Sequence, residues 1–148
     1  MDIKFAQVIF WENRFYIPSF VESEGELIIY SNPIHELDSD ADVQQLASVI
    51  KNVLDLPRPR VPEILRSDWK KRKDPLLYAT HAKNWRDINK YGAMYAITWT
   101  KKELRLDISR TDRLEYDGNK AKIYLPDTPI EEIVNEIQDD LRITRKLI

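Results

Sequence analysis

The chain has 148 residues, no cysteine, three glycines and a formal charge of −2. That length suits one domain, able to bury roughly 70% of the surface its unfolded chain exposes without disulfide help. The composition excludes an oxidised framework, thiolate chemistry and cysteine-ligated metal, and so few glycines leave no phosphate-cradling loop.

The N-terminus, Met1 to Gln7, lacks the positive start and unbroken apolar core of a signal peptide, and no run reaches the ~20 apolar residues of a membrane span. The expected location is therefore cytoplasmic. Residues 3–10 and 14–21 are rich in Ile, Val, Phe and Tyr, so they read as a hairpin turning at Glu12-Asn13. Pro18 cannot donate to a ladder and marks an edge or a bulge. Leu27 to Tyr30 reads as a third strand that Asn32-Pro33 stops.

From 40 to 54, Val43, Leu46, Ala47, Ile50, Val53 and Leu54 recur at helical spacing, with Ser39 or Asp40 as the expected cap. Three prolines between Leu56 and Pro62 then make a stiff connector. Short helices are expected after Pro62 and after Pro75, since proline suits a first helical position. Trp85 and Ile88 begin another short helix that ends at Gly92.

Tyr95, Ile97 and Trp99 share one face of the next run, and Leu104, Leu106 and Ile108 alternate with Arg105 and Asp107. Period-two alternation on both sides of a polar loop, Thr100 to Glu103, predicts a second hairpin. Arg110 to Lys120 reads as a polar segment turning at Asp117-Gly118, and Ala121 to Leu125 as a last strand. Thr128, Pro129 and Glu131 predict a capped helix whose apolar stripe is Ile130, Ile133, Val134, Ile137 and Leu141. The expected fold is a single α+β domain over 1–148, a mostly antiparallel sheet covered by helices at about 40–54 and 129–146.

Charge is unevenly placed. Glu22, Glu24, Glu26, Glu36, Asp38, Asp40 and Asp42 occur without a Lys or Arg among them, whereas Arg58 to Lys73 holds seven bases and two acids. Asp38-Ser39-Asp40-Ala41-Asp42 resembles the start of a calcium loop, but Val43 stands where glycine is needed and Val49 where a bidentate Glu is needed, so no metal is expected. His35 and His81 are the only histidines and lie in no triad or metalloprotease motif; neither catalysis nor a cofactor is expected.

The Trp85-Arg86 helix leading into a hairpin, the Leu125-Pro126-Asp127-Thr128-Pro129-Ile130-Glu131-Glu132-Ile133 opening of the last helix, and Trp11-Glu12-Asn13-Arg14-Phe15-Tyr16-Ile17-Pro18 together resemble immunity proteins of bacterial contact-dependent growth inhibition systems. The resemblance implies a small cytoplasmic protein that binds and blocks a toxin domain, commonly a nuclease. A nuclease cleft is lined with Lys and Arg, so an inhibitor gains steering by presenting carboxylates to it. The seven acids from Glu22 to Asp42 are the expected toxin-binding residues. The alternative is an RNA- or DNA-binding module using 58–73, where Trp69 sits among the bases.

Overall fold

The computed structural model describes residues 3–69, 71–109 and 117–144. Its strands are β1 (Lys4–Trp11), β2 (Arg14–Ser23), β3 (Ile28–Asp38), β4 (Arg60–Val61), β5 (Ala93–Trp99), β6 (Leu104–Ser109) and β7 (Asp117–Tyr124). Its helices are α1 (Val43–Asp55), α2 (Arg66–Trp69), α3 (Pro75–Thr80), α4 (Trp85–Tyr91) and α5 (Ile130–Ile143). Six strands form one antiparallel sheet in the order β3-β2-β1-β5-β6-β7, and β4 lies parallel to the end of β2. The α+β class expected from the sequence is the one observed.

Strand alternation sends apolar side chains to both faces of this sheet. On one face Ala6, Val8, Phe10, Tyr95, Ile97, Leu104, Leu106 and Ile108 pack against Leu46, Ile50 and Val53 of α1 and Ile133, Val134, Ile137 and Leu141 of α5. Each such side chain contributes roughly 1.5–3 kcal/mol when fully buried, which makes this the principal core. On the other face Ile9, Tyr16 and Met94 meet Leu76 of α3 and Ile88 of α4, with Trp85 packed beside them. The sequence reading anticipated the first helical layer and missed that the second covers the opposite face.

Local chemistry explains the element ends. Glu12 and Asn13 both take positive φ (50° and 62°), the two-residue turn that matches strand twist. The bulge falls between Pro18 and Ser19, as the proline required. Gly92 ends α4 in extended backbone (φ −105°), not in a left-handed cap; a Cβ there would lie 2.3 Å from the Phe10 carbonyl oxygen and 2.7 Å from that of Ile88. It is glycine because two main chains nearly touch.

Several expected boundaries move. Asn32-Pro33 does not stop the third strand: β3 runs through it, because the two residues lie in the register shift between Ser19↔Ser31 and Pro18↔Ile34. Asp42, not Ser39 or Asp40, caps α1: its side chain accepts from the Gln45 amide at 2.8 Å, and the Gln45 side chain accepts from the Asp42 amide at 3.0 Å. Residues 62–65 are not helical, and α2 starts at Arg66. Pro129, not Thr128, is the N-cap of α5, and its ring offers no acceptor for a side-chain cap bond; Glu131 pairs with Lys51 on α1. Asp117-Gly118 belongs to β7 and is not a turn. The rest of the polar segment, 110–116, and residues 145–146 of the expected last helix lie outside the described residues.

Candidate protein-binding site

The seven acids are not one surface. Strand β2 pairs Arg14 with Asp38 at one end and Glu22 with Ile28 at the other, a separation of eight residues. At roughly 3.3 Å per residue that is about 26 Å. Glu22, Glu24 and Glu26 therefore gather at one end of the β2–β3 hairpin, and Glu36, Asp38, Asp40 and Asp42 at the other.

The first end is built around Ser23, which is fully buried. Its main chain exchanges bonds with Leu27 and Glu26: the Ser23 amide donates to the Leu27 oxygen at 2.9 Å and the Glu26 amide to the Ser23 oxygen at 2.9 Å. Its hydroxyl accepts from the Leu27 amide at 3.0 Å and donates to Glu63 Oε1 at 3.1 Å. The other oxygen of Glu63 accepts from the Gly25 amide at 2.7 Å. Strand β4 closes the opposite side, with the Glu22 amide donating to Pro59 at 3.0 Å and the Glu24 amide to Val61 at 3.1 Å. The stiff connector thus holds the turn from below and leaves Glu24 and Glu26 outward, Glu26 with a positive φ of 67°. Leu27 beside them is 48% exposed, an apolar side chain within a carboxylate rim.

Sequence reasoning missed Glu63, which joins this acidic end only through topology. Nothing in its local sequence marks it.

At the second end two of the four acids have structural partners. Asp38 pairs with Arg14 at 3.0 Å, and Asp42 caps α1. Glu36 and Asp40 are exposed. Burial first, and then the nearby Glu36 carboxylate, push the Tyr16 phenol above its ordinary value. With Asp38 and Asp42 engaged in this way, the calcium-like spacing does not form a ligand shell, and among the described residues no group of three His, Cys, Asp or Glu could hold a metal ion.

The basic stretch 58–73 is also divided. Arg58 donates to the Ile3 carbonyl at 3.0 Å, Arg60 lies in β4, and Arg72 donates to the Tyr30 carbonyl at 2.7 Å. Lys70 lies outside the described residues, as does the placement of the Trp69 side chain. His35 sits on β3 opposite Ile17, and His81 takes the left-handed position that ends α3. Beneath the connector lies a depression of about 360 Å³ lined by Phe5, Phe20, Val53, Leu54, Leu56 and Arg58. Its lining is mainly apolar, with Ser19, Ser31 and Asn32 at one side and one arginine already bonded to main chain.

Neither a protein-family model nor a curated protein gives a significant match to this chain. Solved structures do. A Neisseria meningitidis protein of unknown function is 17% identical over 90% of both chains, with a TM-score of 0.61. A chain of the CdiA-CT/CdiI toxin and immunity complex from Yersinia pseudotuberculosis is 13% identical, with a TM-score of 0.61, over 93% of this chain and 95% of that one. The fold is thus shared with a component of a toxin and immunity complex. No helix among the described residues is long and apolar enough to cross a membrane.

Proposed function

We propose that this protein is an immunity protein that binds a cognate contact-dependent inhibition toxin, a nuclease domain, and neutralises it in the cytoplasm by occlusion and not by catalysis. The observation that carries the reading is the likeness to a chain of a CdiA-CT/CdiI toxin and immunity complex over nearly the full length of both chains. The acidic block supports it: carboxylates around an exposed Leu27 are the complement of a basic, partly apolar cleft. Glu22, Glu24, Glu26, Glu36, Asp38, Asp40 and Asp42 are the residues we assign to toxin contact, divided between the two ends of the hairpin.

The test is co-expression with the toxin domain encoded beside this gene. The protein should rescue growth, copurify with that domain and suppress its nuclease activity at equimolar ratio. A domain that kills in the presence of this protein, and does not bind it, would refute the proposal. Charge reversal at the hairpin ends, assayed for association rate and salt dependence, then locates the interface.

A further inference from the structure

A second surface lies on the opposite layer, formed by the end of α2, α3, α4 and their connections. Between residues 71 and 91 there are six bases, Lys71, Arg72, Lys73, Lys83, Arg86 and Lys90, and two acids, Asp74 and Asp87. Asp74 is turned inward: Oδ1 accepts from the Leu76 amide at 2.9 Å and Oδ2 from the Trp85 indole at 2.8 Å. The layer's outward charge is therefore more positive than its composition.

Several cations outside this layer are paired, as in Lys4–Asp55, Arg14–Asp38, Lys51–Glu131, Lys122–Glu136 and Arg142–Asp139. Lys71, Lys73, Lys83 and Arg86 form no ion pair among the described residues and are exposed. Helix α4 buries Ile88 and Asn89, which puts Arg86 and Lys90, four apart, together on its outer side.

The same layer exposes aromatic rings. Tyr78 is 73% exposed and Tyr91 64%, although both belong to helices whose inner sides pack on the sheet. The His81 ring lies 6.5 Å from that of Tyr78, and Lys90 Nζ lies 5.3 Å from the centre of the Tyr91 ring. A solvated helix face needs lysines and arginines but has no need of two open tyrosine rings. Exposed rings and exposed cations carried by the same helical layer suit a ligand that offers both phosphate and unstacked bases.

We infer that the Tyr78–Tyr91 face of α3 and α4 binds single-stranded nucleic acid, the cations contacting phosphates and the tyrosines stacking on bases. This surface is separate from the acidic hairpin ends, and its binding is independent of any toxin. With four phosphate contacts the log–log salt slope for a single strand is about −2.8, so affinity should fall roughly 50-fold for a fourfold rise in salt.

The experiment is fluorescence anisotropy with labelled oligouridylate and oligothymidylate across that salt range. Thermal melts check that each variant is folded. We expect K83E/R86E to abolish binding and Y78A/Y91A to weaken it at least about fivefold, with Y78F/Y91F retaining it. Reversal of Lys101 and Lys102, exposed in the loop between β5 and β6, should change nothing. Absence of binding at low salt, or binding that K83E/R86E leaves intact, overturns the inference. So does a wild-type affinity for Y78A/Y91A with equal displacement by heparin, because the surface would then recognise charge alone, as an acidic protein does.

Discussion

Tyr95, wholly buried in β5, donates its phenolic proton to Asp140 Oδ2 of α5 at 2.6 Å. A carboxyl acceptor in a buried site makes this a strong tie between the principal helical layer and the sheet. Tyr95→Phe keeps the ring and removes the bond, so it should destabilise the fold by about 1.5–3 kcal/mol. Urea unfolding measures this directly, and a midpoint equal to wild type would show that the bond has no net value. Toxin binding by the folded variant should be unaltered, since neither group reaches the surface.

Glu63 gives the opposite profile. Its carboxylate accepts from Ser23 Oγ and the Gly25 amide at the acid-bearing end of the β2–β3 hairpin, yet the residue itself is exposed. Solvent screening limits the loss in Glu63→Ala to about 1 kcal/mol or less. Local order should suffer more than global stability. Hydrogen exchange at the Gly25 and Leu27 amides should quicken markedly while the melting temperature shifts by only a few degrees. Unchanged exchange at both amides would show that Glu63 does not hold this turn.

The acids of the second end can be sorted by what they already do. Asp42→Ala removes the side-chain cap of a thirteen-residue helix and should lower stability by about 1 kcal/mol. Asp40→Ala removes an exposed carboxylate for which the structure gives no such role, and should be within ±0.5 kcal/mol of wild type. Equal melting temperatures for the two variants would contradict the cap seen in the structure.

Both outcomes bear on how far the sequence could be read. The Asp42 cap was legible, because Asp42 and Gln45 have capping-box spacing and Val43 follows at once, whereas Ser39 and Asp40 lie two or three residues too early. The stripe of Ile130, Ile133, Val134, Ile137 and Leu141 was legible because a 3.6 period leaves one solution, and all five are buried. By contrast Asn32-Pro33 reads as a stop in any local rule; only the register with β2 shows that a bulge spares the proline from donating. Glu63 has no local signal at all. It joins Gly25, 38 positions earlier, because β4 aligns with the end of β2, and pairing of that range lies beyond sequence periodicity. The division of the seven acids between two hairpin ends is hidden for the same reason: a block continuous in sequence is separated by the length of the strands it spans.

Acid should loosen the contact between the two principal helices. Glu131, in the first turn of α5, accepts from Lys51 Nζ of α1, and the two helices thereby join over the principal core. The hydrogen bond from Lys51, then that from its own amide, hold the Glu131 carboxyl below its ordinary value of 4.5. A folded-state pKa that is lowered contributes stability present above the unfolded value and lost as pH falls through the folded one. The wild type should therefore exceed Glu131→Gln in stability near neutrality, and the difference should shrink as pH drops below 4.5. Part of this comes from the charge near the helix N-terminus and part from Lys51. Lys51→Ala removes only the second part, and the double variant gives the coupling. Because the pair is partly solvent-exposed, added salt should reduce the coupling at neutral pH. Urea midpoints for the four proteins from pH 3 to pH 7 provide the measurement; a wild-type advantage that persists undiminished at pH 3 would mean the Glu131 carboxyl does not carry it.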